Sequence, residues 1–365
     1  MLRRCINKHI IFYTVITLSM VGMVLFGLSR NNRTDSNYFI PGRVIEVLEN
    51  RTSLNEAGAR VGTQVVSVRL LSGPRRGEII EAMNRLFPIE HATYAQVGQR
   101  LLVFVHEDVA HVQSHERSIG IYAVILGFFI LLAVVFGKTG MRSVFSLVFT
   151  FVVIIFLLLP LVVGGVSPGL LTVSLSLCII VVSLISIMGF EKKTLVSILG
   201  SALGVLFYGL FYLLISYVLR ITGFNVQEVD LLIVAGLGTG VSELLFCAIL
   251  IASLGAIMDV AVSLASVTAE LSDKTTDFKE LFASAMKIGR DIIGSSSNTL
   301  ILAFTGSFFI MLILFNVHNT QYAVLINRTD IAIEVLRAIS ATAAMVLCAP
   351  ATAFIGSHIF KKQGK

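Results

Sequence analysis

The chain has no tryptophan, four cysteines and six prolines, and charged residues fill only 14% of its 365 positions. Each shortage closes off a class. So few charges in a chain that is 56% hydrophobic, with a mean hydropathy of +0.88, exclude an ordinary soluble domain. Without tryptophan, anchoring at a membrane boundary falls to Tyr, Phe, Lys and Arg. Cys5, Cys178, Cys247 and Cys348 form no CxxC pair, and none lies within 30–117, so no disulfide framework and no cysteine metal or redox site is expected. The formal charge of +6 comes without a basic run or a basic–aromatic patch, so no nucleic-acid partner is expected. It reads instead as Lys and Arg fixing orientation in a bilayer. HExxH, GxSxG and Walker A patterns are absent, and no second intramembrane Asp completes an aspartyl dyad. The chain is therefore not expected to be an enzyme, nor to hold a cofactor.

What is present is mostly long apolar runs. Arg3, Arg4 and Lys8 precede an apolar stretch from about Ile10 to Leu28. It is long for a cleavable signal, and Phe26-Gly27-Leu28-Ser29 is a poor cleavage site, so 1–29 reads as a signal anchor with a cytoplasmic N-terminus. Seven further spans are expected near 118–137, 143–163, 169–189, 194–219, 242–268, 292–315 and 331–359, each able to cross a core of about 30 Å. Lys138 with Arg142, Lys192 with Lys193, the segment 274–290, and the tail Lys361-Lys362-Gln363-Gly364-Lys365 then fall on one side. Gly164-Gly165-Val166-Ser167-Pro168 and 316–330, with little positive charge, fall on the other. Eight spans with both termini cytoplasmic satisfy the positive-inside rule. The stretch 231–240 is too short to span and is left as re-entrant or outer-surface.

Residues 30–117 differ in kind. Segments at 38–40, 43–48, 64–71, 78–81 and 101–105 are rich in β-branched and apolar residues and alternate in part. Ser72-Gly73-Pro74-Arg75-Arg76-Gly77 is turn chemistry between two of them. The expected fold is a small extracytoplasmic β-barrel of four to six strands, OB- or SH3-like, between helices 1 and 2 of the membrane bundle. It carries 11 Arg, no Lys and 10 acidic residues, a near-neutral balance that argues against a headgroup clamp. An envelope protein or a transport subunit is the kind of partner it would suit, beside the bilayer that surrounds the spans. His111 and His115, spaced i, i+4, would ligate a metal together only on a helix. A solvated linker is the blander reading, and no metal site is assigned.

Between the sixth and seventh spans, Asp277 with Glu280 three residues on is a helix N-terminal signal. Phe278, Leu281, Phe282 and Ala285 recur at helical spacing, which predicts a cytoplasmic amphipathic segment over 277–290 lying in the inner interface. Gly200-x-x-x-Gly204 reads as close helix packing. Glu334 and Arg337, spaced i, i+3, are expected to pair with each other or with the interface.

The chemistry collects at one place. An ionised carboxylate within a span costs at least a few kcal/mol, so Asp259 is a functional candidate. Gly255, Asp259, Ser263 and Ser266 share one helical face, and Asp291, Ser295, Asn298, Thr299 and Thr305 share another on the next span. A hairpin near Phe278 would bring these stripes to matching depth, as a hydrated pathway or as a hydrogen-bonded interface. Small and hydroxyl residues need no transport to explain them, since such bonds contribute about 0.6 kcal/mol each between membrane helices. Asp259 is harder to explain that way, because Asn would bond as well at lower desolvation cost. Arg290 is the nearest candidate base to pair with it, and Arg290 and Asp291 would pair or gate at the inner mouth.

Leu254-Gly255-Ala256-Ile257-Met258-Asp259-Val260-Ala261, Phe278-Lys279-Glu280-Leu281-Phe282, Ile288-Gly289-Arg290-Asp291-Ile292-Ile293-Gly294 and Asn298-Thr299-Leu300-Ile301-Leu302-Ala303 resemble the YibE/F-like bacterial membrane proteins. Gly189-Phe190-Glu191-Lys192-Lys193-Thr194-Leu195, with Gly200, resembles the family's earlier loop. Ser295-Ser296-Ser297 departs from it and keeps the stripe polar. The resemblance implies a multi-spanning bacterial plasma-membrane protein and brings no reaction or substrate. The reading of the residues themselves is a permease or transport component, with a membrane scaffold or envelope sensor acting through the outer β domain as the alternative.

Overall fold

The computed structural model describes residues 13–25, 38–56, 58–87, 93–106, 109–222, 224, 227–234, 236, 241–275 and 277–361. Arg3, Arg4, Lys8, Cys5, Ser29, most of 235–240 and the tail beyond Lys361 lie outside them. The described residues belong to two compact units, one from Asn32–Val134 and one from Met1–Asn31 with Val135–Lys365.

In the first unit, strands β1 (Tyr38–Leu54), β2 (Arg60–Leu70), β3 (Ile79–Leu86), β4 (Arg100–His106) and β5 (Val109–His115) close in the order β1-β2-β3-β5-β4. The β3–β5 pair is parallel and the others antiparallel. This is a five-stranded Greek-key barrel of the OB kind. Alternation builds it: Val66, Val68 and Leu70 of β2 point inward with Ala82 and Leu86 of β3 and Leu101, Val103 and Val105 of β4. The expected segments 38–40 and 43–48 are one strand. Register shifts after Val44 and Val47 bend β1, so that its start pairs with β4 and its remainder with β2.

Two polar residues sit in that apolar interior. Gln64 and Asn84 are fully buried, and the Asn84 amide donates to Gln64 Oε1 (3.0 Å) and to the Thr93 carbonyl (2.7 Å). The Ala95 N–H donates to the same Gln64 oxygen (3.0 Å), and Gln64 Nε2 donates to the Ala95 carbonyl (3.3 Å). The pair thereby fixes the 93–95 segment inside the barrel.

The second unit is helical. A short apolar helix α1 (Tyr13–Leu25) is followed, after the barrel, by α2 (Ser118–Val152), whose residues up to Val134 belong to the first unit, a π-helical stretch (Val153–Leu158) and α3 (Leu159–Val163). This 46-residue run is about twice the reach a bilayer core needs, and Gly137, at φ 55°, interrupts its helical geometry. Then come α4 (Pro168–Met188), α5 (Lys192–Val218), α6 (Gln227–Val234), α7 (Val241–Leu271), α8 (Phe278–Ser307), α9 (Phe309–Val317), α10 (Tyr322–Ile326) and α11 (Thr329–Phe360). Among the described residues, five helices are long and apolar enough to cross a membrane, or six if α8 and α9, which meet at 54°, form one broken span. That is fewer than the eight the sequence suggests.

α7 lies at the centre, packed against α4, α5, α8 and α11. Close approach of α5 to α11 and to α7 depends on the expected glycines. A Cβ on Gly200 would come within 2.1 Å of Thr352 Oγ1, and one on Gly204 within 2.4 Å of Ile257. Only glycine fits at either place. Glu334 and Arg337 do pair, at 3.3 Å.

The expected helix starting at Asp277 is present, but its extent differs. Residues 277–290 are not a separate interfacial helix: Asp277 caps α8, accepting the Glu280 N–H at 3.0 Å, and α8 then runs unbroken to Ser307. Nothing between Met286 and Ile292 stops it, and Gly289 serves contact with Leu264 rather than a break.

Candidate functional site

The polar residues singled out from the sequence occupy two helices. On α7, Ala248, Ala252, Gly255 and Asp259 form one exposed line, with Ser263 and Ser266 half-buried further along. The spacing i, i+4, i+7, i+11 keeps them on one face. That face turns away from the apolar contacts of α7, where Ile257 and Ala261 pack into the main core and Val260 and Leu264 into the cluster shared with α8 and α11. Among the described residues Asp259 has neither a hydrogen bond nor an ion pair, so the expected pairing with Arg290 is not formed.

On α8, Leu281, Ala285 and Gly289 are buried, and Phe282, Ile292 and Ile293 join them against α7 and α11. At 3.6 residues per turn, Gly294 stands about 180° round the helix from Ala285, and Asn298 about 180° from Gly289. Asp291, Gly294, Ser295, Asn298 and Thr299 are all exposed. The Thr299 hydroxyl donates to the Ser295 carbonyl at 3.0 Å, one turn back on its own helix. Arg290 and Asp291 are exposed, and neither has an ion-pair partner among the described residues.

Depth follows from one contact. Leu264 meets the position a Gly289 side chain would take, 3.0 Å from its Cβ. Measured from there along antiparallel helices, Asp259 is about 7.5 Å deeper, level with Gly294, and Asn298 about 13.5 Å deeper. The two stripes therefore reach similar depths, Asn298 a turn beyond Asp259, but they do not face each other across the α7–α8 contact. Burying apolar area decides this: the face of α8 with Leu281, Ala285 and Ile292 takes the neighbours and leaves the polar face outward.

The interior of the bundle has a polar content of its own, which the Asp259-centred reading missed. Ser176 and Ser183 of α4, Ser197 and Ser201 of α5, Ser253 and Thr268 of α7, and Ser340, Thr352 and Ser357 of α11 are buried. Several donate to a carbonyl of the preceding turn, as Thr268 does to Leu264 (2.7 Å) and Thr352 to Cys348 (2.8 Å). The hydroxyls of Ser183, Ser201, Ser340 and Ser357 have no partner among the described residues. The heptad spacing of Ser176 and Ser183 was the available signal. Glu243 proves structural: it accepts the Gly169 N–H (2.6 Å) and the Ser167 hydroxyl (2.9 Å), closing the N-terminus of α4.

His111 and His115 lie on strand β5, not on a helix, so the i, i+4 spacing separates them by about 13 Å along the chain. They cannot share a metal in that arrangement. Among the described residues no group of three or more His, Cys, Asp or Glu is placed to hold one.

Apolar helices of membrane length, packed round a central helix and carrying an uncovered acid, define a polytopic membrane protein with an appended five-stranded barrel. The family described as YibE/F-like protein matches residues 124–362, and the chain belongs to it. The match takes in every residue of the α7 and α8 stripes and leaves out the barrel. No curated protein and no solved structure matches the chain.

Proposed function

We propose that the chain is a transport component of a bacterial plasma membrane, with Asp259 as the group that binds a proton or cation within the bilayer. The observation that carries this reading is the state of Asp259: a carboxylate on a membrane-length helix, exposed on a face lined otherwise by Ala248, Ala252 and Gly255, without a cationic partner. A structural carboxylate would have been paired, because an unpaired one costs a few kcal/mol at such depth. Small neighbours leave room for water and for a hydrated ion. Ser263 follows Asp259 one turn on along α7, Ser295, Asn298 and Thr299 form a separate polar face of α8 at related depth, and Arg290 and Asp291 stand at the inner end.

The topology that goes with this reading has eight spans. They are α1, the two halves of the 118–163 run on either side of Gly137, α4, α5, α7, the bent α8–α9 pair, and α11. Lys192, Lys193, Lys274, Lys279 and Lys361 gather at one end of the bundle, which is then cytoplasmic, with both termini there and the barrel outside. The test uses the full chain in vesicles with a pH-sensitive dye inside and an imposed proton or potassium gradient. Parent protein should dissipate the gradient, Asp259→Asn should not, and Asp259→Glu should retain part of the flux. Equal flux in parent and Asp259→Asn would sink the assignment.

A second reading, a scaffold or sensor working through the barrel, has its own support. Phe39, Met83 and Phe87 are exposed on the barrel with Arg51 and Arg85 among them, a mixed surface suited to a protein partner. Under that reading, deletion of 38–112 abolishes function in cells while Asp259→Asn leaves it intact.

A further inference from the structure

The outward face of α8 has a period that transport alone does not require. Lys287, Asp291, Gly294 and Asn298 are exposed on the side of α8 opposite its packed face, and their spacing of 4, 3 and 4 residues is a heptad seam; Ile301 and Thr305 continue the spacing but line grooves against α11. By the register with α7, the part from Asp291 to Asn298 lies at the depth of the apolar stretch of that helix. A polar seam at that depth is not stable against lipid, since the hydrocarbon offers its amide and carboxylate no partner.

We infer that this seam is the interface of a two-fold homodimer, in which α8 of a second copy covers it. The inference rests on the foregoing proposal for the place of α8 in the bilayer, and it supplies the wall that the polar path lacks. A second copy is favoured by the arrangement of charge. All copies of a chain insert in one orientation, so two α8 helices related by an axis along the membrane normal run parallel. In a parallel seam the residue at Asp291 packs beside the residue preceding its counterpart, which is Arg290 of the second copy. Arg290 and Asp291 are both unpaired in the single chain, and the two-fold operation joins them twice. Gly294 has no atom within 4 Å of where its side chain would be, so it lets the backbones approach. Asn298, one turn on, then meets Asn298 of the second copy, and amide pairs of this kind hold membrane helices in register.

The test uses the full chain in native membranes, with Cys5 and Cys178 replaced by serine and single cysteines placed along α8. Oxidation should yield a species of twice the mass from Gly294→Cys and Asn298→Cys. It should yield none from Leu210→Cys and Leu213→Cys, which are exposed on α5. With two differently tagged copies expressed together, Arg290→Asp or Asp291→Arg in both should abolish co-purification, and the double exchange should restore it. Absence of the doubled species, cross-linking without regard to helix face, or cross-linking to a different protein would each overturn the inference. So would a double exchange that fails to restore a dimer lost in both single variants. The readout is mass and not flux, so the dimer stands or falls whether or not Asp259 moves a cation.

Discussion

The barrel and the helical unit treat their polar side chains in opposite ways. Gln64 and Asn84 lie at the centre of the barrel with their amides bonded to each other and to the 93–95 backbone. Asp259 and Asn298 lie on the outside of the helical unit with no side-chain hydrogen bond among the described residues. In water the first arrangement is required, because a buried amide without a partner costs about 1–3 kcal/mol and the outer surface takes care of itself. In a bilayer the outer surface is the costly place. A polar group left there is either in contact with water or waiting for a partner. The contrast teaches where to look: in the barrel the polar residues explain stability, and in the helical unit the uncovered ones are the candidates for function.

That comparison can be broken or sharpened by substitution. The largest effect belongs to helix contact in the bundle: Gly200→Leu should destabilise it by about 3 kcal/mol through collision with Thr352. Thermal aggregation of the detergent-solubilised chain reads this out, and an unchanged midpoint would refute the close approach. Next comes Asn84→Ala, which removes the donor to the Gln64 oxygen and the Thr93 carbonyl and should cost about 2 kcal/mol. Faster hydrogen exchange in β2 and β3 of the full chain, with the helices unaffected, is the expected signature. Asp259→Asn should change stability by less than about 0.5 kcal/mol, because the carboxylate makes no hydrogen bond or ion pair among the described residues. If that variant proves markedly less stable, Asp259 is a structural residue and the contrast between the two units collapses.

The smallest effect concerns a surface pair on the barrel. Arg75 donates from Nε to Glu78 Oε2 (2.7 Å) and from Nη2 to Oε1 (2.6 Å), which holds the Glu78 carboxyl below its usual range. A carboxyl lowered in the folded state contributes at pH above its unfolded value and loses that contribution as pH falls through the folded one. A carbon-detected titration of Glu78 should therefore show a depressed midpoint that returns to the ordinary Glu range in Arg75→Gln.

Much of this architecture is legible in the residues. Alternation at 64–71 and 101–105 fixes strands, Asp277 announces a helix start, and Gly200 with Gly204 announces close packing, because each is a local rule with a local cause. The eight-span count is harder to read, since apolar length says how far a run can reach and not where a helix bends; Gly137 and the break after Ser307 are decided by the backbone. His111 and His115 mislead for a related reason. Their spacing carries meaning only once the local conformation is known, and β5 places them in a strand. The facing of α8 is the least legible feature. Periodicity puts Asp291, Asn298 and Thr305 on one side, and only the competing apolar stripe, through its contacts with α7 and α11, determines which side turns outward.

One join in the barrel carries a consequence of its own. β3 and β5 complete the ring through a single register pair, Met83 with His111, whereas β1 and β2 share an eleven-pair ladder. Parting at that point would uncover two unpaired strand edges while leaving the other ladders whole. An extended segment from another polypeptide could then add itself to the sheet, making the narrowest closure the natural place for the ring to admit a guest.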